Sequence, residues 1–263
     1  MKQNSIYRTK FQGAVDRCIA SLGNPRKRKL PTGFGPLDSA MEGLTAGDVT
    51  AIVGESGSGK SSLLRCIALS AAASNHVLYV PLQDGAAENA ARKLIALEAG
   101  LKPSALEGQV DSADRVLALE AGDRLKGADL GIYATDEMMF TMLLEAATED
   151  FTGYTDIDPI DGAGFVLIDS LSMLDDGDVK SLIRALKGLA YGSDLAIVAT
   201  VTGGSDLVSA VADASCVIQL NSEGGDVEEE LRIRASILKD NWGANAGNKV
   251  ELRLDKETLA FAG

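Results

Sequence analysis

The stretch Gly54-Glu55-Ser56-Gly57-Ser58-Gly59-Lys60-Ser61 constrains the fold more than any other part of this 263-residue chain. It follows the apolar run VTAIVG (49–54) and opens a helix-like segment at 60–73. A strand, then G-x-x-x-x-G-K-[ST], then a helix is the pattern of a phosphate-binding loop. The glycines let backbone N–H groups curl around phosphate oxygens, and the helix N-terminus adds a favourable partial charge. In that arrangement Lys60 reaches the β- and γ-phosphates, and the Ser61 hydroxyl is placed for Mg²⁺. The expected ligand is ATP with Mg²⁺, held by Gly54, Glu55, Ser56, Gly57, Ser58, Gly59, Lys60, Ser61 and Ser62.

A loop of this kind needs a sheet around it. Five more apolar runs qualify as strands: VLYVPL (77–82), LGIYA (130–134), FVLID (165–169), LAIVAT (195–200) and SCVIQL (215–220). Helix-like segments at 86–99, 112–126, 137–150 and 179–191 lie between most of them. Such alternation predicts an α/β fold, a mainly parallel twisted sheet with helices on both faces. LRIRASIL and KVELRL have only a turn-rich break between them, so an antiparallel pair is expected at the sheet's edge. The run FVLID ends in an acid, and Asp169 is therefore the expected carboxylate for Mg²⁺.

Composition removes several alternatives. No run approaches the roughly 18 apolar residues of a membrane helix, and the N-terminus lacks the apolar core of a signal peptide. Cys18, Cys66 and Cys216 are odd in number and far apart, which fits reduced thiols in a cytoplasmic protein. His76 is the sole histidine, so histidine-based catalysis is excluded. The first 31 residues carry a net +7; with −13 overall, the remainder carries −20. A body so acidic repels nucleic acid at long range unless its basic groups are concentrated. Residues 10–22 place Phe11, Ala14, Val15, Cys18, Ile19 and Leu22 on one helical stripe, followed by the charged linker GNPRKRKLPTG. The expected organisation is an N-terminal amphipathic helix and basic linker (1–31) and an ATPase domain (32–263).

Four segments carry a more specific likeness. TGFGPLDSAMEGLTAGDVTAIVG (32–54) resembles the opening of RecA-like ATPase cores. VLYVPLQDG and the following helical stretch, FVLIDSLSML with its next helix and strand, and ILKDNWGANAGNKVELRLDKETLAF resemble the C-terminal domain of DnaB-type replicative helicases. The resemblance implies a RecA-like P-loop core in a hexameric ring of identical subunits, with nucleotide between neighbours and single-stranded DNA in the centre. It implies that helix 10–22 docks on the next subunit, and that replication proteins are partners. No counterpart of the family's N-terminal primase-binding domain is expected.

The chain also departs from the family's pattern. The strand after the P-loop helix ends, in the family, with a water-polarising glutamate; here stand Gln83 and then Asp84. A glutamine can orient water but cannot accept its proton, so hydrolysis is slow, or Asp84 or Glu55 shares the role. The family's closing turn often reads Lys-x-Arg-x-Gly. Lys239 remains, Asn241 replaces the arginine, and Arg234 is the candidate substitute, with an exposed strand face bearing Arg232 and Arg234 as the plain alternative. Thr200 or Thr202 stands where a polar amide sensor is common. The loops LSMLDDGD and TGGSDLVSAVADA contain no Lys or Arg to grip phosphates. Two functions follow: a DNA helicase motor, or an ATP-binding ring that hydrolyses slowly and acts on proteins as a regulator or loader.

Overall fold

The computed structural model describes residues 19, 28–134, 164–174, 178–193, 195–203, 207–223, 230–241 and 243–262. Among the described residues nine strands form one sheet. They are β3 (Asp48–Gly54), β4 (Val77–Pro81), β5 (Leu130–Ile132), β6 (Phe165–Asp169), β7 (Ala196–Thr202), β8 (Cys216–Ser222), β9 (Glu230–Asp240), β10 (Lys249–Asp255) and β11 (Phe261–Ala262). Their spatial order is β11-β10-β9-β8-β3-β7-β6-β4-β5. From β8 to β5 every pairing is parallel, whereas β8–β9, β9–β10 and β10–β11 are antiparallel. The expected edge pair is therefore present as β9 and β10, with β11 added outside it. The turn that returns β11 is built on Asp255, whose Oδ1 accepts from the backbone N–H groups of Glu257 and Thr258.

Strand periodicity sorts the core into two layers. Val49, Ala51 and Val53 of β3 face one side with Leu78 and Val80, Val166 and Ile168, and Ile197 and Ala199. Ile52, Tyr79, Phe165, Leu167 and Val198 face the other. Successive side chains point to opposite faces, so an uninterrupted apolar run is the composition a strand covered on both sides requires. Helix α2 (Lys60–Ala71) covers one layer with Leu63, Leu64, Ile67 and Ala68. The other is covered by Leu182, Ile183, Leu186 and Ala190 of α5 (Val179–Ser193). Full burial of each such large aliphatic contributes about 1.5–3 kcal/mol. Helix α3 (Ala87–Ala99) buries Ala90 and Leu94, and α4 (Ser112–Lys126), with the bounds expected from sequence, packs on it. A short α6 (Leu207–Ala210) precedes β8.

Ahead of the core, β1 (Lys29–Leu30) pairs antiparallel with β2 (Leu44–Thr45) around α1 (Gly35–Met41). Asp38 ties this unit by accepting from Thr32 N and Oγ1 at 2.7 and 2.8 Å. Lys29, in the basic linker, is anchored: its ammonium donates to the Met41 carbonyl and lies 3.9 Å from Asp240. Of the expected helix 10–22 only Ile19 is described, helical and exposed. Arg26 and Lys27, the expected helix-like segment 137–150, residues 151–163 and Trp242 lie outside the described residues. Among the described residues no helix is long and apolar enough to cross a membrane.

Candidate nucleotide site

At the C-terminal ends of β3, β4, β6 and β7 lies a cleft of about 570 Å³, the usual location of ligands in an open α/β sheet. Its floor is the loop between β3 and α2. The chain enters through Gly54, where a Cβ would come within 2.6 Å of the Leu220 carbonyl oxygen. It enters α2 through Gly59 at φ +86°, where a Cβ would also lie 2.7 Å from Ile233 Cδ1. The Leu220 carbonyl requires glycine at position 54 by shape, and the backbone conformation requires it at position 59. Ser56, Gly57, Gly59, Lys60, Ser61 and Ser62 line the cleft. Of the other expected loop residues, Gly54 and Ser58 are buried and Glu55 is exposed. The Lys60 ammonium donates to the Gly54 and Glu55 carbonyls at 2.9 and 2.7 Å and lies 3.5 Å from the buried Ser58 hydroxyl. Burial pushes the Lys60 pKa down, an effect that Asp169 opposes.

Asp169 is the centre of the polar cluster and is 1% exposed. Its two oxygens have separate surroundings. Oδ1 accepts from the Ser61 hydroxyl at 2.9 Å and the Thr200 hydroxyl at 2.8 Å. Oδ2 faces the Tyr79 hydroxyl at 3.4 Å and Arg65 Nη2 at 3.8 Å. Thr200, one of the two threonines expected near the phosphates, reaches Asp169; Thr202 lines the cleft and its N–H donates to Ser172 Oγ at 3.0 Å.

The neighbouring residues Gln83 and Asp84 part company. Gln83 lines the cleft, and its backbone N–H donates to the Asp169 carbonyl at 3.2 Å. Asp84 is buried and turned inward, with Oδ1 on the Lys93 ammonium and Oδ2 3.8 Å from Arg65 Nη2. Its carboxylate is held away from the cleft that Gln83 faces. Glu55 is exposed and contributes its carbonyl to Lys60.

Arg65 and Tyr79 were not among the residues expected from sequence. Arg65 lines the cleft although it is only 8% exposed. Burial opposes its charge, but Tyr79, Asp169 and Asp84 outweigh burial and raise its pKa. Burial likewise raises that of Tyr79, which stays a phenol. One signal was available: Arg65 follows Ser61 by four residues, so both occupy one face of α2.

The C-terminal candidates lie elsewhere in the chain. Arg234, on the exposed side of β9, pairs with Glu223 at 2.5 Å, and Arg232 lies 4.0 Å from Glu251. Lys239 donates to the Ala212 and Ala214 carbonyls at 2.6 and 2.7 Å, closing the segment after α6. Leu254 and Leu259, from β10 and the following turn, supply an apolar wall to the cleft.

The donor set suits Mg·ATP. Ser61 Oγ and Asp169 Oδ1 are adjacent hard oxygens of the kind Mg²⁺ prefers, and Mg²⁺ takes its other ligands from phosphate and water. Among the described residues no group of three or more His, Cys, Asp or Glu side chains could hold a metal by itself. A divalent cation here would depend on the phosphates above the loop.

The profile of the DnaB-like helicase C-terminal domain family matches residues 29–202. Among solved structures, one described as an ATPase domain is 15% identical, with a TM-score of 0.77, covering 98% of this chain and 99% of that one. A DnaB-like replicative helicase described with its interactions with primase is 16% identical, TM-score 0.74, over 97% of this chain and 67% of the other. A KaiC-like protein from the archaeon Pyrococcus horikoshii OT3 is 14% identical, TM-score 0.64, over 90% and 98%. These likenesses establish the fold. No curated protein sequence matches significantly. The profile spans more than half of the chain, from β1 through the P-loop and Asp169 to the end of β7, and the chain belongs to the DnaB-like helicase C-terminal domain family.

Proposed function

We propose that this chain is the ATPase subunit of a homo-oligomeric, six-membered ring that moves single-stranded DNA at the cost of ATP. The observation that carries the reading is the union of Ser61 and Asp169 over the P-loop cleft of a DnaB-like domain. Bound Mg²⁺ would neutralise charge on the β- and γ-phosphate oxygens. The chain's own residues do the rest. The loop N–H groups and Lys60 bind the phosphates, and nucleotide phosphate offsets the desolvation that depresses the Lys60 pKa. Ser61 and Asp169 hold the cation, and Gln83 orients the attacking water. Arg234 leaves Glu223 for the phosphate of the neighbouring subunit, a change of low cost because an exposed ion pair is worth about 0–1 kcal/mol. Replication proteins and the cytoplasm are the setting this reading implies.

Two observations favour a second reading, an ATP-gated ring that acts on protein partners as a regulator or loader. Gln83 and not a carboxylate faces the cleft, and Lys239 is engaged inside its own subunit. The deciding experiment is steady-state ATP hydrolysis with and without single-stranded DNA, with Lys60→Ala as blank. Stimulation of about tenfold or more supports the motor. Bound nucleotide with negligible turnover in both conditions rejects it in favour of the ring acting on proteins.

A further inference from the structure

The guanidinium of Arg65 stands between two buried carboxylates. Nη2 lies 3.8 Å from Asp84 Oδ2 and 3.8 Å from Asp169 Oδ2, both beyond hydrogen-bond reach. Arg65 Nε and Asp84 Oδ2 are buried with no hydrogen-bond partner among the described residues. Buried polar atoms of native proteins are nearly always satisfied, so each exception calls for a physical explanation, a role in a functional site among them. These two belong to a charged pair, and Arg65 lines the nucleotide cleft.

We propose that Arg65 is a positioning residue of the nucleotide site. It clamps the Gln83–Asp84 turn at the end of β4 to Asp169 at the end of β6. The inference rests on the ATP-site reading above and names one further residue of that site. On the Asp169 side, Arg65 and Tyr79 occupy Oδ2, so Oδ1 is the oxygen turned toward Ser61 and the cation position. On the other side, Arg65 and Lys93 hold Asp84 inward, and the adjacent Gln83 is left facing the cleft. The Gln83 N–H to Asp169 carbonyl bond joins the same two strand ends through the backbone. A planar guanidinium with several fixed donors can serve two carboxylates at once, which a single ammonium does less well.

Charge alone would have the opposite consequence. A cation beside Asp169 weakens its attraction for a second cation, so removing Arg65 should then strengthen Mg²⁺ binding. Positioning predicts weakening, because Asp169 Oδ2 would face the Asp84 carboxylate across the gap with no cation between them. The sign of the change therefore decides between the two roles.

The test is equilibrium binding of a fluorescent ATP analogue to the full chain, with and without Mg²⁺, in wild type, Arg65→Met, Arg65→Lys and Asp84→Asn. Lys60→Ala serves as the blank, and melting curves without nucleotide report folding. In Arg65→Met the Mg²⁺-dependent gain in affinity is expected to fall about tenfold or more, while Mg²⁺-free affinity stays within about threefold. Arg65→Lys should recover part of the gain, and Asp84→Asn should lose part of it. Asp84→Asn combined with Arg65→Met should be no worse than Arg65→Met alone. A gain that is unchanged or larger in Arg65→Met overturns the proposal, as does an equal loss with and without Mg²⁺. If Arg65→Met does not fold, wild-type behaviour of both Arg65→Lys and Asp84→Asn overturns it. Wild type that binds Mg·nucleotide but does not turn over sinks the motor reading and leaves this test intact.

Discussion

The Ser61 hydroxyl donates to Asp169 Oδ1 at 2.9 Å across 108 residues of sequence, joining the first turn of α2 to the end of β6. Ser61→Ala removes a donor to a buried carboxylate and one oxygen from the proposed cation position. A stability loss of about 1 kcal/mol is expected, with a roughly tenfold weaker Mg²⁺-dependent affinity for ATP. Calorimetric titration with and without Mg²⁺ checks this; an unaltered Mg²⁺ dependence would remove Ser61 from the cation site.

Gln83→Glu places a proton acceptor where an amide faces the cleft. General-base catalysis is worth about 10²–10⁴-fold, so phosphate release at saturating Mg·ATP should rise by roughly a hundredfold. No rise would mean that another group already takes the proton, or that a different step limits turnover.

Lys239 bonds to two carbonyls of its own chain, so its loss should register in the stability of the isolated chain. Lys239→Met is expected to lower unfolding stability by about 1.5–3 kcal/mol, the range for hydrogen bonds to a charged group, read from the urea midpoint. An unchanged midpoint combined with lost hydrolysis in the assembled protein would instead place its function across the subunit boundary.

Cys216 is buried, and burial pushes its thiol from near 9 up to about 12. The unfolded chain releases this proton near pH 9 while the native chain keeps it. The native state thus binds more protons between pH 9 and about 12, and stability is lost across that window. The contribution is at most about 1.4 kcal/mol per pH unit. Urea unfolding between about pH 8 and 10.5 should show the decline, and Cys216→Ala should make it shallower. Identical slopes for the two proteins would contradict the assignment.

Sequence reveals those parts of the site that are local. Gly54 through Ser62 form one contiguous motif, and Asp169 closes an apolar run, so both can be found without a partner. Arg65 and Tyr79 cannot, because what makes them site residues is the meeting of β4 and β6, which begin 88 residues apart at Val77 and Phe165. The choice between Gln83 and Asp84 was hidden for a related reason. β4 ends at Pro81, so strand alternation no longer assigns a face, and it is Lys93 and Arg65 that meet the inward-turned Asp84. The same limit applied to the fold. The longer strands of the sheet and the helices covering it had enough periods to be recognised, whereas β1, β2 and β11, two residues each, had none.

The position of β3 has a consequence for synthesis. This strand, DVTAIVG, is buried at every residue, and its two neighbours are β7 and β8, whose first residues are Ala196 and Cys216. At about 5–20 residues per second a ribosome needs on the order of ten seconds to reach them after completing β3. Throughout that interval the nascent chain displays an apolar segment with no permanent partner, the kind of exposure that invites aggregation. Native assembly of the phosphate cradle therefore waits until β7 and β8 have been made.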